Sequence, residues 1–269
     1  MDFKMSFKIN FKLQDLNKIM PFGEEPHFNL HWFGLTDGFL WIDAEDKTIY
    51  EYSKAAQNYF DNSSRYNDYY ISRFLEDFSL TFQYIAEPVP KELYDIVDRF
   101  GSILNQWAEL HEDNDEDDYT FDNDYYGLWE WYGYRSFDSG HLVGGPDISF
   151  FRYEDNIKIL WEGAGVLENG EYIWTAPKGM LEISYKEFVT ETKRFFEAFF
   201  ISMDKQVNNA LSKDWKKIHL DKERLVKENQ ERKQIFRHKL SFLDDTPQVT
   251  DWQKIFVLYR KMKSDLYNI

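Results

Sequence analysis

The sequence predicts an α+β protein, because segments that alternate apolar and polar residues precede segments with a helical repeat, and this order occurs twice. Apolar residues occupy every second position from Phe3 to Leu13, which is typical of a strand with one buried face. Near residue 70 the repeat lengthens to three and four residues, which is typical of amphipathic helices. We therefore expect an antiparallel sheet built from N-terminal and central hairpins, packed with several amphipathic helices and followed by a helical C-terminal region.

Two hairpins are predicted near the N-terminus. Aromatic runs flank the tripeptide Thr36-Asp37-Gly38, and an Asp-Gly pair supplies the positive φ angles of a tight turn. The runs Phe39–Ile42 and Thr48–Tyr52 predict the second hairpin, with its turn between them.

The middle of the chain predicts helices and then strands. Apolar spacing indicates helices over 71–85 and 93–107, and an aromatic stretch over 125–137 favours a third, shorter helix. Strands are predicted at Ile148–Phe151, Ile157–Trp161 and Tyr172–Trp174, separated by turn residues.

The last third of the chain predicts three helices. Ser184 with Glu187 forms a capping box, Asp221 precedes a helix rich in Lys and Glu, and Thr250 with Gln253 marks the start of the last helix. The helical C-terminal part covers about 184–266. We find no internal repeat and no clear linker, so we expect a single α+β domain over 1–269.

The net charge of −16 limits the classes of partner. Residues 201–269 are net basic, so the acidic charge lies in residues 1–200. Such a surface repels phosphates, which disfavours direct nucleic-acid binding, and attracts basic proteins. The chain lacks cysteine and an apolar run of about 20 residues, so we expect a cytoplasmic protein without a membrane span or disulfide.

An acidic loop is predicted over about 109–124. Asp113, Asp115 and Asp117 have the spacing of a calcium loop, but position six is Asp118 where that loop needs glycine. A solvated loop and a docking site for a basic partner both remain open, and we predict no metal and no cofactor. We include the three aspartates among the candidate binding residues.

Aromatic residues form 19% of the chain and either fill the core or grip a ligand. Trp32 and Asp37 lie in the aromatic stretch His31–Gly38, and both are candidate binding residues. Arg135 and Asp138 are the other candidates, because they lie in an aromatic stretch where a pocket could form. As a structural alternative, these two residues would pair and fix the turn before Gly140.

Catalytic signatures are absent from the sequence. It contains no phosphate-binding GxxxxGK[ST] loop, no GxSxG elbow and no HExxH helix, so we predict that the protein is not an enzyme and name no catalytic residues.

Three features together resemble an uncharacterised bacterial family: the stretch His31–Gly38, the run Arg135–Asp138 with Gly145-Pro146 after it, and the Trp161 strand. That family is similar in style to the immunity-type proteins that accompany polymorphic toxins. The resemblance implies a non-catalytic binding protein that neutralises a basic partner toxin through an acidic, aromatic-rich surface.

The alternatives are a small-ligand module for sugars or nucleotides that uses several tryptophans as a platform, and a hydrolase whose site is not visible in sequence. The platform would comprise Trp32, Trp41, Trp129, Trp131 and Trp161.

Overall fold

The structure is a computed structural model, and it describes residues 6–61, 64–111, 120–142, 144–163 and 165–267. Helices and antiparallel sheets alternate along the chain, which confirms the α+β prediction. Across these ranges, no helix has both the length and the apolar content needed to cross a bilayer.

The N-terminal sheet is antiparallel and centred on the third strand. Its strands are β1 (Phe7–Leu13), β3 (Asp37–Ala44), β4 (Lys47–Ile49) and β5 (Asn67–Tyr70). Strand β3 pairs with each of the other three, and the hairpin that it forms with β4 confirms the second predicted hairpin. Phe7 and Ile9 are fully buried, as the alternating pattern requires.

The predicted hairpin turn at Thr36-Asp37-Gly38 is wrong. Gly34–Thr36 form a 3-10 helix, and Asp37, with a φ of −54°, already begins β3. The short strand before it, β2 (Asn29–Leu30), pairs in parallel with β10 (His219–Leu220) near the C-terminus. Glycine is required at position 38 for a different reason: a Cβ there would collide with the backbone oxygen of Lys12 in the paired strand β1.

The helical middle is more broken than the sequence predicts. It consists of α1 (Lys54–Tyr59), α2 (Ile71–Leu80), α3 (Phe82–Ala86), α4 (Lys91–Tyr94), α5 (Val97–Glu109) and α6 (Thr120–Gly133). Thr81 interrupts the first predicted helix, and its hydroxyl donates to the carbonyl oxygen of Phe78. Such a local bond competes with the helical pattern.

The central hairpin belongs to a second antiparallel sheet. Its strands run in the order β6 (Ser136–Phe137), β7 (Asp147–Tyr153), β8 (Asn156–Glu162) and β9 (Lys178–Ser184). The prediction missed β9, in which only alternate residues are buried. Tyr172 and Trp174 instead form single bridges to Val166 and Tyr52.

The C-terminal helices match the prediction closely. They are α7 (Tyr185–Ser212), α8 (Lys222–Ser241) and α9 (Trp252–Tyr267). The Ser184 hydroxyl accepts a bond from the Glu187 N–H, and the Asp221 carboxylate caps α8. At α9 the predicted cap is displaced by one residue, because the Asp251 carboxylate accepts from the Lys254 N–H.

The second sheet separates two hydrophobic clusters. Ile148 and Phe150 contribute to the larger cluster, which also contains the N-terminal sheet and α7. Phe151, which points to the opposite face, belongs to the smaller cluster with α5, α6 and α9. Helices therefore cover most of the second face, and the part that they leave open forms the cleft described below.

Candidate functional site

A cleft of about 540 Å³ lies between the second sheet and helices α5 and α6. We call it the acidic-aromatic cleft. Its floor consists of residues from all four strands and its walls come from the two helices; it is lined by Asp98, Gly101, Trp129, Tyr132, Gly133, Ser136, Asp147, Ser149, Leu160, Trp161, Glu162, Lys178, Gly179 and Met180.

Strand register determines which side chains face the cleft. Ser149 pairs with Leu160, and Leu160 pairs with Met180, so these three side chains lie on one face of the sheet. Trp161 lies on the other face, where its indole packs across Gly179 and joins the larger cluster. The strand therefore contributes Leu160, and not the Trp161 ring, to the apolar floor.

The apolar wall of the cleft is open to solvent. Trp129 is 49% exposed and Met180 is 53% exposed, although both are large apolar side chains. Tyr132, one turn after Trp129 on α6, stacks on Phe100 of α5 with ring centroids 5.5 Å apart, so its ring is held between the two helices. Large exposed apolar side chains beside a concavity are typical of binding surfaces.

Three carboxylates and one ammonium group line the cleft. Asp147 pairs in register with Glu162, and Glu162 accepts from Lys178 across 2.8 Å. Asp98, in the first turn of α5, adds a further negative charge. With Lys178 compensating one carboxylate, the cleft remains net negative.

Hydrogen bonds fix the polar groups on the floor. The Asp147 carboxylate accepts from the Ser139 N–H at 2.7 Å, and the hydroxyls of Ser136 and Ser149 lie 2.7 Å apart. Partial loss of solvation in the cleft raises the pKa of Asp147, against the opposing effect of that backbone bond. Burial also raises the pKa of Tyr132, while a bond to Ser149 lowers it. Tyr132 is therefore a neutral phenol at physiological pH.

This combination suits a cation that has an apolar stem. Carboxylates attract the charge, and the Trp129 face can accept a cation–π contact. None of the lining residues is histidine or cysteine, so the cleft offers neither the usual general base nor a thiolate nucleophile. In the described ranges, the cleft included, no group of three or more His, Asp or Glu residues is arranged to hold a metal ion.

The structure places Trp32 and Asp37 away from this cleft. Trp32 is fully buried, and its Nε1–H donates to Asn229 at 2.9 Å. Asp37 begins β3 beside β5, and burial, opposed by its bond with the Gly38 backbone, raises its pKa. Trp32 is thus a core residue that links the aromatic stretch His31–Gly38 to α8.

Arg135 and Asp138 do not pair with each other. The Arg135 guanidinium, fully buried, donates to Glu87 at 2.6 Å and to the Trp131 carbonyl oxygen at 2.7 Å. Asp138 instead accepts from the Gly140 N–H at 2.6 Å. The predicted Arg–Asp pair is therefore wrong, although Asp138 does fix the turn before Gly140.

The predicted tryptophan platform does not assemble. Trp131 is buried in the smaller cluster, and Trp41 stacks on Tyr66 in another part of the fold. Of the five predicted residues, Trp129 presents its ring at the cleft. The predicted acidic loop over about 109–124 is wrong at its end, because 120–124 already belong to α6. Asp113, Asp115 and Asp117 lie outside the described residues.

Sequence reasoning missed Glu87, which is 2% exposed and is the partner of Arg135. Its carboxylate also accepts from the backbone of Val249 and Thr250 and from the Thr250 hydroxyl. Its only signal is its position, a single carboxylate in the apolar run Ile85–Val89. A buried carboxylate needs a partner, so this position predicts that Glu87 is paired, but it does not predict that the partner is Arg135.

Comparison with known proteins identifies a family and no individual relative. No curated protein and no solved structure matches the chain. A family profile matches residues 8–257, which is most of the sequence. The chain therefore belongs to DUF5984, a family of unknown function.

Proposed function

We propose that this protein is a non-catalytic binding protein of the immunity type, which neutralises a basic partner toxin. The observation that carries this proposal is the acidic-aromatic cleft, where exposed Trp129 and Met180 adjoin the carboxylates of Asp98, Asp147 and Glu162. A lysine or arginine side chain of the partner fits this chemistry, since its stem packs on apolar surface while its head meets carboxylates.

The overall charge supports the same kind of partner. A net charge of −16 steers a basic protein towards the surface before specific contacts form. A toxin that acts on nucleic acid has a basic active-site cleft, and an acidic protein can cover it. The aromatic side chains would then act as anchors within the interface.

The first experiment captures partners from a lysate of the source organism at low and moderate salt. The bait is the wild-type protein, and the test variant combines Asp147→Asn with Glu162→Gln. The control variant combines Glu168→Gln with Glu223→Gln, two carboxylates outside the cleft. The control variant removes the same number of negative charges as the test variant.

We expect one basic protein, enriched at low salt and partly lost at moderate salt, because screening acts over about 10 Å at ordinary ionic strength. The cleft variant should retain less of it than the control variant does. Equal retention by both variants would exclude the cleft, and an empty capture would contradict a protein partner.

A second experiment tests the three aspartates of the predicted acidic loop. Reversing the charges of Asp113, Asp115 and Asp117 to Lys should weaken partner binding if the segment docks to a basic surface. Unchanged affinity would remove these residues from the interface.

A small-ligand function has one supporting observation of its own. Ser136, Ser149 and Tyr132, which carry hydroxyls, line the same cleft as Trp129, and its volume is within the usual range for small-molecule sites. A sugar combines hydroxyls with an apolar ring face, so it fits both groups. Titration with sugars should then change tryptophan fluorescence in the wild type and not in Trp129→Phe, and no change in either would exclude this alternative.

A further inference from the structure

Strand β9 forms the outer edge of the second sheet, directly beside the acidic-aromatic cleft. It pairs with β8 through all seven of its residues, and no described strand pairs with its other side. Proteins usually protect such edges, because the free backbone groups can pair with another chain.

Two hydrogen bonds reveal which backbone groups of β9 point outward. The Gly163 N–H donates to the Pro177 carbonyl oxygen at one end, and the Tyr185 N–H donates to the Asp155 carbonyl oxygen at the other. In an antiparallel ladder, hydrogen-bonded pairs alternate with non-bonded pairs. The odd-numbered residues from Gly179 to Ile183 therefore bond to β8, and Lys178, Met180 and Glu182 direct their N–H and C=O groups outward.

Two of these residues, Lys178 and Met180, also line the cleft, and Glu182 lies on the same face of the sheet. Met180 pairs with Leu160, and Lys178 pairs with Glu162; all four line the cleft. A strand added beyond β9 would place every second side chain on this face, next to Met180 and two strand spacings, about 10 Å, from the backbone of Glu162, which a lysine or arginine side chain can span. The free backbone and the cleft therefore form one continuous surface.

We propose that an extended, basic segment of the partner protein adds to β9 as a further strand and places a lysine or arginine at the acidic-aromatic cleft. This inference rests on the proposed function and specifies how the partner binds. Backbone bonds to Met180 and Glu182 supply affinity, and the cleft supplies selectivity for the cation, as in other cases of strand addition.

Charge favours a basic segment over a second copy of this chain. Two copies joined through β9 would bring together two proteins that each have a net charge of −16. A partner segment with alternate lysines instead faces Glu162 on the cleft side, with the negative charge of Asp147 one strand further in.

The test uses a seven-residue peptide that alternates valine and lysine, with both termini blocked and a fluorescent label for anisotropy. Met180→Pro removes the outward N–H and keeps the bonds to β8, and proline is tolerated at such edge positions. Met180→Ala is the matched control, since it loses the same side chain and retains the N–H. A second peptide with alternate N-methylated amides tests the same bond on the unmodified protein.

We expect Met180→Pro to bind the peptide about fivefold more weakly than Met180→Ala, which corresponds to the loss of one hydrogen bond. The N-methylated peptide should also bind more weakly to the wild type. Hydrogen exchange at the amides of Met180 and Glu182 should slow when the unmodified peptide binds.

Equal affinity of the two Met180 variants, together with equal affinity of the two peptides, would overturn strand addition. So would a failure of the peptide to bind at millimolar concentration, or a dimer of the protein alone that Met180→Pro dissociates. If the two Met180 variants and the two peptides bind equally, but Asp147→Asn with Glu162→Gln still weakens peptide binding, the proposed function of the cleft stands and only strand addition is wrong. If the Met180 effect persists and the charge variant has none, strand addition stands and the proposed role of the cleft fails.

Discussion

The Arg135 guanidinium donates to the Glu87 carboxylate across 2.6 Å, with both side chains buried. Glu87 also accepts bonds from Val249 and Thr250, the residues just before α9. Burial lowers the pKa of Arg135 to about 10, although Glu87 opposes the shift. The pair therefore joins the end of α6 to the start of the last helix.

Removing one member of this pair should destabilise the protein strongly. We expect Glu87→Gln to lower the free energy of unfolding by about 3–5 kcal/mol, because Arg135 would remain charged and buried without its partner. Urea unfolding measures the change. Asp95→Asn, which removes the exposed Lys91–Asp95 pair, is the control and should leave the midpoint almost unchanged. A small effect of Glu87→Gln would show that water or another group compensates Arg135.

Gly38→Val should destabilise the N-terminal sheet by about 2 kcal/mol or more, because the added side chain overlaps the Lys12 backbone. Gly101→Ala is the opposite case, since a Cβ at Gly101 in α5 meets nothing within 4 Å. That substitution should raise stability by up to about 1 kcal/mol. Thermal unfolding of both variants checks the contrast, and a stable Gly38→Val protein would contradict the close approach of β1 and β3.

Trp32→Phe and Trp129→Phe should separate a core role from a binding role. Trp32→Phe leaves the Asn229 side chain without its buried donor, so we expect a loss of about 1–3 kcal/mol in unfolding free energy. Trp129→Phe should leave stability nearly unchanged and weaken binding at the cleft. The reverse pattern, with binding lost in a stable Trp32→Phe protein, would return Trp32 to the candidate site.

Stability should fall in mild acid, in part through His141. Burial lowers the pKa of His141 from its ordinary value of 6.5. Its imidazole packs on the Tyr69 ring, with the ring centroids 5.1 Å apart. Between pH 6.5 and that lower pKa, the unfolded chain binds more protons than the folded protein does. The free energy of unfolding therefore decreases as pH falls through this range.

His141→Gln should reduce that dependence on pH, which urea unfolding at several pH values measures. An NMR titration of the imidazole provides a direct check. A midpoint at or above 6.5 would contradict the burial of His141.

The elements with strong local signals were predictable from the sequence. Strand β1, the hairpin of β7 and β8, and the caps at Ser184 and Asp221 all follow from spacing within a few residues. Family membership, likewise, agrees with the expectation of a family of unknown function.

The features that local sequence patterns failed to predict depend on contacts between residues that are far apart in the sequence. Thr36-Asp37-Gly38 has the composition of a hairpin turn, yet pairing with β1 and β5 draws Asp37 and Gly38 into a strand. Strand β9 has alternate buried residues but lies after a long loop, and pairing with β8 alone defines it. The cleft combines residues from six elements, so no segment of the sequence contains its pattern.

The position of α9 has a consequence for synthesis of the protein. The smaller hydrophobic cluster packs Trp107 and Trp131 against Ile255, Leu258 and Met262 of this helix. The ribosome makes α9 after every other helix and strand described above, so a nascent chain can have its first sheet and the larger cluster in place while the smaller cluster still lacks the side that α9 supplies. Until α9 emerges, that apolar surface is a target for chaperones, and a chain that stops before residue 252 leaves it open permanently.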